Sequence, residues 1–520
     1  MINIAIMTWF FGGGNYGQTL QAYALGCATN AMGWSDVFYQ NIDSEYADYS
    51  RATGQEALKM SPRHIFNDEQ QSALHMCRLR SFDAFIRRHF NLLDGYSKKE
   101  MEISMIKNDC RVILCGGDQI WNPYYFEEGG DIYISKFDDF INYCSLSYGS
   151  SIGANEITSK KKELFEEFTI CINKLNSVSI REQSGKELLE NEWKKNKLPI
   201  KCINVVLDPA FLLSSDEWIS LTEEDHKYIE FNKSYKNYIL CYIVGQSRLH
   251  LNTIGQIAQE MGKQIHYIVM DEELGEINNF DFLKGLDPLE FVWEVAHADY
   301  VIGDSYHAAV FSIIFNKEFA LFKRDDREEW NYKHDGRMEQ LCRTFEIENR
   351  YIESIDDYHS LSQIDYNSVN NILNVERENS LRYLRQSLYD AYVNVFVKRY
   401  VENGDYYFLF PKDKFNTYKK IIIYGAGAVG YHYFCQGNLC ESVSIVMWVD
   451  KEKTRYEEIP IDSADRNYDD VDFDYILIAN NDEVQRNEIK RFLLCKKIPE
   501  CKIICKAPIK NKDKRYETKN

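Results

Sequence analysis

The sequence contains no apolar run of the ~20 residues that a membrane-spanning helix requires. The longest candidate, residues 299–315, is interrupted by Asp304 and His307. Basic side chains are also scarce relative to acidic ones, 61 against 80, which gives a formal net charge of −19. This excess of negative charge disfavours nonspecific nucleic-acid binding, so we expect no nucleic-acid partner.

Disulfide and zinc frameworks are missing as well. The 14 cysteines are scattered, and several lie inside predicted strands. Their closest grouping, Cys495, Cys501 and Cys505, lacks the spacing of a zinc site. No other cluster of His, Cys and carboxylate residues has ligand spacing. We therefore expect reduced, buried thiols in a cytoplasmic protein that requires no metal.

Alternating strand and helix patterns run through the chain. They begin at residue 2, restart after residue 205 and start again near residue 420, and the 520 residues suffice for two to four domains. Such alternation predicts parallel sheets with crossover helices. We predict an α/β fold with Rossmann-like domains at residues 1–205 and 206–400 and a smaller one at 415–510. The second domain should end in a long helix near residues 362–398.

The segment DYVIGDSYHAAVFSIIF at residues 299–315 predicts a strand, a polar turn and a helix in succession. This order places Ser305 and His307 at the carboxyl edge of a sheet, where α/β proteins bind ligands. The start of a helix favours an anion, and histidine is the side chain that titrates near neutral pH. We predict that His307 is catalytic and that Ser305 binds substrate. The structural alternative is a histidine packed in the core.

Other strand ends carry polar groups suited to an anion and a sugar. Asn15 follows the first strand in a glycine-rich loop, which lacks the Lys-Ser/Thr of a P-loop. SVSIRE places Arg181 at a strand end, where it can clamp a carboxylate or phosphate or form a surface salt bridge. The loop GGDQIWNP combines a carboxylate, amides and an indole, which suits a carbohydrate better than a purely structural turn. Its candidate sugar-side residues are Asp118, Gln119, Trp121 and Asn122.

These segments resemble those of one enzyme family. Asn15-Tyr16-Gly17, GGDQIWNP, SYGSSIG, SIREQSG, VLDP and AHADYVIGDSYHAAVFSIIFNKEF occur in the order found in polysaccharide pyruvyl transferases, over roughly residues 1–350. GGDQIWNP and DSYH are the specific segments among them. The resemblance implies a glycosyltransferase-B-like pair of Rossmann domains with phosphoenolpyruvate (PEP) in the cleft between them. It also implies transfer of pyruvate from PEP to a sugar, as a ketal, in the biosynthesis of bacterial surface polysaccharides.

Residue roles follow from the same resemblance. Arg181 matches the PEP-binding arginine, and His307 matches the active-site histidine. Some members have an arginine immediately before that histidine, whereas this chain has Tyr306. A second guanidinium must then come from elsewhere, and Arg337 in HDGRMEQL is the candidate.

The chemistry of ketal formation needs two kinds of proton transfer: one to the PEP methylene and one from a sugar hydroxyl. His307 can serve in either, with Asp118 as its counterpart, and the sequence does not assign the steps. Expected partners are PEP and a sugar or lipid-linked oligosaccharide acceptor. Pyruvyl transfer itself requires no cofactor.

The C-terminal segment carries the dinucleotide-binding fingerprint in its usual strand–loop–helix context. KIIIY is followed by GAGAVG, with Gly425, Gly427 and Gly430, and Asp450 ends the next predicted strand. The unit nevertheless has only ~90 residues, about half of a full dinucleotide fold. Binding of NAD or a nucleotide sugar and a structural or assembly role therefore both stay open.

Two other functions fit parts of this pattern. A glycosyltransferase-B-type enzyme would use a nucleotide-sugar donor within the same architecture. A non-catalytic nucleotide sensor would act through the C-terminal unit alone. Truncation near residue 410 separates the sensor from an enzyme, because an enzyme retains PEP binding without that unit.

The helix predicted at residues 76–91 has an apolar stripe and a basic opposite face. The basic residues assigned to that face are Arg78, Arg80, Arg87 and Arg88. Such a face is usually only solvated. It is also our candidate for peripheral contact with an anionic membrane surface or a polyanionic acceptor.

Overall fold

The computed structural model forms two compact units, Ile2–Tyr389 and Asp390–Asn520. It describes residues 3–10, 14–33, 36–40, 69–95, 97–123, 130–137, 143–154, 156–223, 237–244, 250–268, 280–283, 285–323, 336–347, 350–403, 407–415, 417–440, 442–456 and 459–511. The polar, aperiodic sequence of residues 43–75 predicts a surface loop; residues 43–68 lie outside these ranges, and residues 69–75 belong to a helix, so the prediction is wrong for them.

The first sheet of the larger unit is parallel, with strand order β2–β1–β3–β4. Its strands are β1 (Asn3–Met7), β2 (Val37–Tyr39), β3 (Cys110–Gly116) and β4 (Cys144–Tyr148). Single bridges join β4 to β5 (Val178–Ile180), which pairs with β6 (Ile203–Val205), so the sheet continues toward residue 205. Most of these strand residues are buried, as expected where helices cover both faces of a parallel sheet.

Within the described residues of this region, five helices accompany the sheet. They are α1 (Tyr16–Ala31), α2 (Glu69–His89), α3 (Lys98–Lys107), α4 (Lys162–Lys174) and α5 (Gln183–Lys195). One basic residue of α2 does not lie where it was predicted. Arg78 is only 2% exposed, and it lies one helical turn before Phe82, on the same buried stripe. The predicted solvated basic face is therefore wrong for Arg78.

The second sheet is also parallel, with strand order β11–β10–β7–β8–β9. Its strands are β7 (Tyr238–Tyr242), β8 (Gln264–Ile268), β9 (Phe280–Leu283), β10 (Tyr300–Gly303) and β11 (Glu318–Leu321). The helices of this region are α6 (Ser215–Glu223), α7 (Leu251–Met261), α8 (Pro288–His297), α9 (Tyr306–Ile314), α10 (Gly336–Thr344), α11 (Ile355–Ser360) and α12 (Tyr366–Asn403). Both sheets lie in one compact unit, Ile2–Tyr389.

The smaller unit contains a third parallel sheet, of order β17–β14–β13–β18–β19. Its strands are β13 (Lys419–Tyr424), β14 (Val443–Asp450), β17 (Asp462–Ser463), β18 (Tyr475–Ile478) and β19 (Ile503–Ile504). Helices α13 (Ala428–Asn438) and α14 (Glu483–Cys495) accompany it, as do the short strand pairs β12 (Phe408–Leu409) with β20 (Ile509–Lys510) and β15 (Arg455–Tyr456) with β16 (Ile459–Pro460). The α/β fold class with parallel sheets is thus confirmed.

The boundary between the units falls inside α12, after Tyr389. The last turns of that helix pack on the third sheet's own helix, because Phe396 contacts Tyr431 and Phe434. The limits predicted for the first two domains stay a prediction. None of the helices in the described ranges combines the length and apolarity needed to cross a lipid bilayer.

Candidate active site

The strand, turn and helix predicted around His307 are present. Strand β10 ends at Gly303, and α9 begins at Tyr306 with Ser305 as its N-cap residue. The carboxylate of Asp304 accepts a hydrogen bond from the backbone N–H of Val244 at 2.7 Å, which fastens the turn to the segment after β7. His307 is therefore held in the first turn of a helix at the carboxyl edge of the second sheet.

The imidazole of His307 is enclosed by residues that precede the second sheet in the chain. Its Nε2 lies 3.5 Å from Oδ2 of Asp208. The opposite side of the ring lies against Gly17 of α1, where an added methyl group would approach Nδ1 to 1.9 Å. Only a glycine therefore leaves room for this ring position. The motif Asn15-Tyr16-Gly17 thus has a steric function next to the histidine.

Arg181 lies directly after β5 and points into the same cluster. Its Nη1 donates a hydrogen bond to Oδ2 of Asp208, and its Nη2 lies 3.9 Å from Oδ1 of Asp118. The Nε and Nη2 atoms are buried and have no hydrogen-bond partner within the described residues. Burial disfavours the charged guanidinium, but Tyr306, Asp208 and Asp118 outweigh it and raise the pKa of Arg181 above its ordinary value. The side chain is therefore a fixed cation with free donors.

Asp208 connects the arginine to the histidine. It belongs to VLDP, caps the short helical turn Pro209–Leu212, and accepts a hydrogen bond from the backbone N–H of Ala210 at 2.9 Å. Burial would raise the pKa of its carboxyl group, but His307 and Arg181 hold that pKa well below its usual range. Sequence reasoning did not assign this residue a role. The available signal was an acid before a proline, close behind a strand end.

Arg337 and Gln119 complete the cluster. The Nη1 of Arg337 lies 4.0 Å from Oδ1 of Asp118, so two guanidiniums flank one carboxylate. When the amide oxygen of Gln119 is turned toward Arg337, it accepts hydrogen bonds from Nη2 at 2.9 Å and Nη1 at 3.2 Å. The structure thus brings together five predicted site residues: Asp118, Gln119, Arg181, His307 and Arg337.

Two predicted residues of the GGDQIWNP loop lie elsewhere. Trp121 is fully buried in the core beside the first sheet, and its indole N–H donates to the carbonyl oxygen of Tyr133 at 2.9 Å. A fully buried ring cannot contact a sugar, so the prediction of Trp121 as a sugar-side residue is wrong. Asn122 is also fully buried, within reach of Gly153, where it fills the interior of the loop. Both residues shape the loop that carries Asp118 and Gln119.

Asn15 and Ser305 are placed at helix starts. The side chain of Asn15 accepts a hydrogen bond from the backbone N–H of Gln18 at 3.3 Å and so caps α1. Ser305 makes no side-chain capping bond at the start of α9 and is 6% exposed. Asn15 therefore has a structural role here, whereas the hydroxyl of Ser305 is not used by the cap. Substrate binding by either one stays a prediction.

A small cavity of about 60 Å³ lies beside the cluster. Its lining includes the polar side chains of Arg181, Tyr306 and Arg337 and apolar residues such as Phe211 and Phe345. A larger open groove of about 1090 Å³, between Lys323 and Asp357, shares no lining residue with the cluster.

The fingerprint residues of the C-terminal unit are well defined. Gly425 has φ +114°, and a methyl group there would meet the carbonyl oxygen of Ala479 at 2.7 Å. A methyl group on Gly430 would lie 1.8 Å from the carbonyl oxygen of Gly425, whereas Gly427 faces open space. These geometries explain why the first and third positions are glycine, and they leave room beside the second.

Asp450 at the end of β14 is anchored to this glycine loop. Its Oδ2 accepts from the backbone N–H of Ala426 at 2.6 Å, and its Oδ1 accepts from those of Glu452 and Lys453 at 2.9 and 3.0 Å. Burial raises the pKa of this carboxyl group, but these N–H groups outweigh it and the pKa is lowered overall. Asp450 therefore stays ionised and fixed beside the loop. Nucleotide binding here stays a prediction.

No group of three or more His, Cys, Asp or Glu residues in the described part of the chain is arranged to hold a metal ion. The clustered groups are instead suited to an anion. Arg181 and Arg337 supply positive charge, and His307 supplies an exchangeable proton. Asp208 contacts Arg181 and His307, and Asp118 contacts both arginines, so the two carboxylates help to fix the positions of these side chains.

Sequence and structure comparisons identify relatives of the chain. A family model for polysaccharide pyruvyl transferase matches residues 39–326. No curated protein matches the sequence. Similar solved structures include UDP-GlcNAc 2-epimerase from Neisseria meningitidis bound to UDP-GlcNAc, at 11% identity and a TM-score of 0.43, covering 75% of this chain and 99% of that one.

Two further solved structures show the same level of likeness. UDP-GlcNAc 2-epimerase from Methanocaldococcus jannaschii, in complex with UDP-GlcNAc and UDP, has 13% identity and a TM-score of 0.39, covering 75% of this chain and 99% of that one. Arabidopsis thaliana UGT89C1 complexed with quercetin has 12% identity and a TM-score of 0.38, covering 76% and 97%. At these identities and TM-scores, the likenesses say nothing about the ligand or activity of this chain.

Proposed function

The chain belongs to the polysaccharide pyruvyl transferase family, and from this premise we propose that it transfers pyruvate from PEP to a sugar as a ketal. The observation that carries the proposal is the pair formed by Arg181, which is buried, and Arg337, which is largely buried, beside Asp118 and close to the His307–Asp208 pair. PEP has a carboxylate and a phosphate, with about three negative charges together, and such groups are bound in proteins by arginines.

Arg181 is proposed to receive one of these anionic groups. Its Nη1 is fixed by Asp208, so the unpartnered donors are Nε and Nη2. These two N–H groups point the same way along one edge of the guanidinium, which matches two oxygens of a carboxylate or phosphate. Arg337 is proposed to receive the other anionic group, with Gln119 supporting its orientation.

The proposed reaction balances without a further reactant. The oxygen of one sugar hydroxyl bonds to C2 of PEP while the methylene carbon C3 gains a proton and becomes a methyl group. The oxygen of a second hydroxyl then bonds to C2 as the C2–O bond to phosphate breaks. The two hydroxyl groups lose two protons, of which one corresponds to the proton gained at C3 and the other leaves with phosphate.

His307 and Asp118 are proposed to carry these protons. Asp208 stays ionised, so it can stabilise a positive charge on the imidazole when His307 holds a proton. Asp118 is the second carboxylate of the cluster. It is the candidate for whichever of the two proton transfers, to C3 or from a sugar hydroxyl, His307 does not perform. The proposed acceptor is a sugar of a surface polysaccharide or of its lipid-linked precursor, modified at the cytoplasmic side of the membrane.

The test is to incubate the full-length protein with PEP and a panel of sugars, nucleotide sugars and lipid-linked oligosaccharides. Mass spectrometry should detect the pyruvate-ketal product, and phosphate release should match its amount. The His307→Asn variant should reduce both by about 10²–10⁴-fold with little change in melting temperature. Release of a nucleotide from a nucleotide sugar, without PEP consumption, would instead identify a glycosyltransferase.

A further inference from the structure

Tyr306 contacts both arginines of the candidate site. It is the first residue of α9 and is 8% exposed. The guanidinium carbon of Arg181 lies 4.6 Å from the centroid of its ring, and that of Arg337 lies 5.5 Å from the same centroid. The ring also meets the imidazole of His307 edge to face, at 5.3 Å and 89°. One aromatic ring thus contacts three side chains of the cluster.

Arg181 and Arg337 place two positive charges close to one carboxylate. Asp118 supplies one negative charge to both of them, at 3.9 and 4.0 Å, which are longer than ordinary hydrogen bonds. The face of an aromatic ring carries partial negative charge and attracts cations, most strongly when water is excluded. The Tyr306 ring therefore supports two like charges that otherwise repel each other.

We propose that Tyr306 is a positioning residue that holds Arg181 and Arg337 side by side, so that together they form one receptor for the anionic groups of PEP. This inference rests on the proposed function for its ligand. Arg181 has a second anchor in Asp208, and Arg337 has one in Gln119. Tyr306 is a contact that the two guanidiniums share in addition to Asp118, and it acts on the ligand through them.

The ring face, and not the hydroxyl group, should carry this role. Tyr306→Phe keeps the face, so it should bind PEP and inorganic phosphate within about threefold of the parent. Tyr306→Leu and Tyr306→Met remove the face and should weaken PEP binding at least about tenfold, since each cation–π contact contributes roughly a 3- to 30-fold effect. Two nonaromatic variants are used because one of them can fail to fold.

A matched control exists in the same unit. Phe319 and Arg350 form another cation–π pair, at 5.4 Å, and neither residue belongs to the cluster. Phe319→Leu should lower the melting temperature and leave PEP affinity unchanged. It therefore separates the loss of a buried ring from the loss of the two-arginine receptor.

A double-mutant cycle distinguishes positioning from general packing. PEP affinity is measured by calorimetry for the parent, Tyr306→Leu, Arg337→Gln and the double variant. If Tyr306 acts through Arg337, its substitution should cost at least about threefold less in the Arg337→Gln background. Equal losses in both backgrounds, a full loss in Tyr306→Phe, or no loss in folded Leu and Met variants would overturn the inference. A parent protein that binds no PEP would instead overturn the proposed function.

Discussion

Gly17→Ala is expected to disable the candidate site by displacing His307. A methyl group on Gly17 would lie 1.9 Å from Nδ1, 2.2 Å from Cγ and 2.6 Å from Cε1 of the imidazole. Real contacts of this kind are about 3.5–4.0 Å, so the ring or helix α1 must shift by more than 1 Å. A misplacement of about 1 Å in an active site costs about 10²-fold in rate. We therefore expect turnover to fall by at least about 10²-fold.

The stability change tests the same clash independently. Replacing glycine by alanine inside a helix normally stabilises a protein by up to about 1 kcal/mol, because glycine loses more backbone freedom on folding. Overpacking of a buried contact costs about 1–3 kcal/mol. The net effect of Gly17→Ala should therefore be neutral to destabilising. Gly255→Ala in α7 is the control, since no atom lies within 4 Å of the added methyl group there.

The assay is PEP-dependent phosphate release with a productive acceptor, together with thermal melting and calorimetric PEP binding. We expect folded Gly17→Ala protein with weak turnover, and Gly255→Ala protein with parental turnover and an equal or higher melting temperature. PEP affinity should fall less than turnover, because the atoms nearest the added methyl group belong to His307 and not to Arg181. Full activity in folded Gly17→Ala protein would show that the reaction does not need the imidazole of His307 where the structure places it, and would refute its catalytic role there.

Three further predictions follow from the contacts of the site and of the C-terminal unit. Arg181→Lys keeps the charge but loses the two-donor edge, so calorimetry should show at least about tenfold weaker PEP binding, and unchanged affinity would contradict the proposed contact. Asp208→Asn should destabilise the protein near neutral pH, because the pKa of Asp208 is lower in the folded than in the unfolded protein. The ionised carboxylate therefore stabilises the fold above its ordinary pKa of 3.8, and this contribution is lost as the pH falls toward the lower pKa of the folded state. Urea unfolding should therefore show a parent–variant difference at pH 7 that shrinks below pH 3.8, and a constant difference would argue against the ionised pair. Finally, a thermal-shift screen of NAD, NADP, UDP-sugars and ATP on the full chain should find stabilisation by NAD or a nucleotide sugar that Gly427→Val and Asp450→Ala abolish, whereas no response would leave a structural module.

The α/β fold and the positions of His307 and Arg181 at strand ends could be predicted from the sequence, because local patterns of apolar and polar residues determine them. The apolar run at 300–302, the polar turn and the following helix identified the carboxyl edge that holds His307. Arg181 was found for the same reason, since a strand end fixes where a side chain emerges. Short edge strands such as β9 and β17 were not predicted, because a few residues at the rim of a sheet carry little periodicity.

The residues that were assigned wrongly depend on contacts between distant segments. Trp121 and Arg78 were interpreted from residue type, but packing turns both inward, and for Arg78 the spacing to Phe82 was an overlooked signal. Asp208 gains its role only when residue 181 and residue 307 meet beside it. The steric role of Gly17 likewise appears only once α1 lies against α9. The contacts around Asp208 and Gly17 are set by the tertiary fold, and no local pattern encodes which distant residues meet there.

Transfer of the PEP carbon skeleton to a sugar is the central claim, and NMR in D₂O with PEP labelled with ¹³C at C3 observes it directly. With a productive acceptor, the methylene signal should be replaced by a ketal methyl signal that carries one deuterium, and one phosphate should be released per ketal formed. Both signals should be absent in His307→Asn. PEP that remains unchanged across the whole acceptor panel, while the folded protein releases a nucleotide from a nucleotide sugar, would contradict the account.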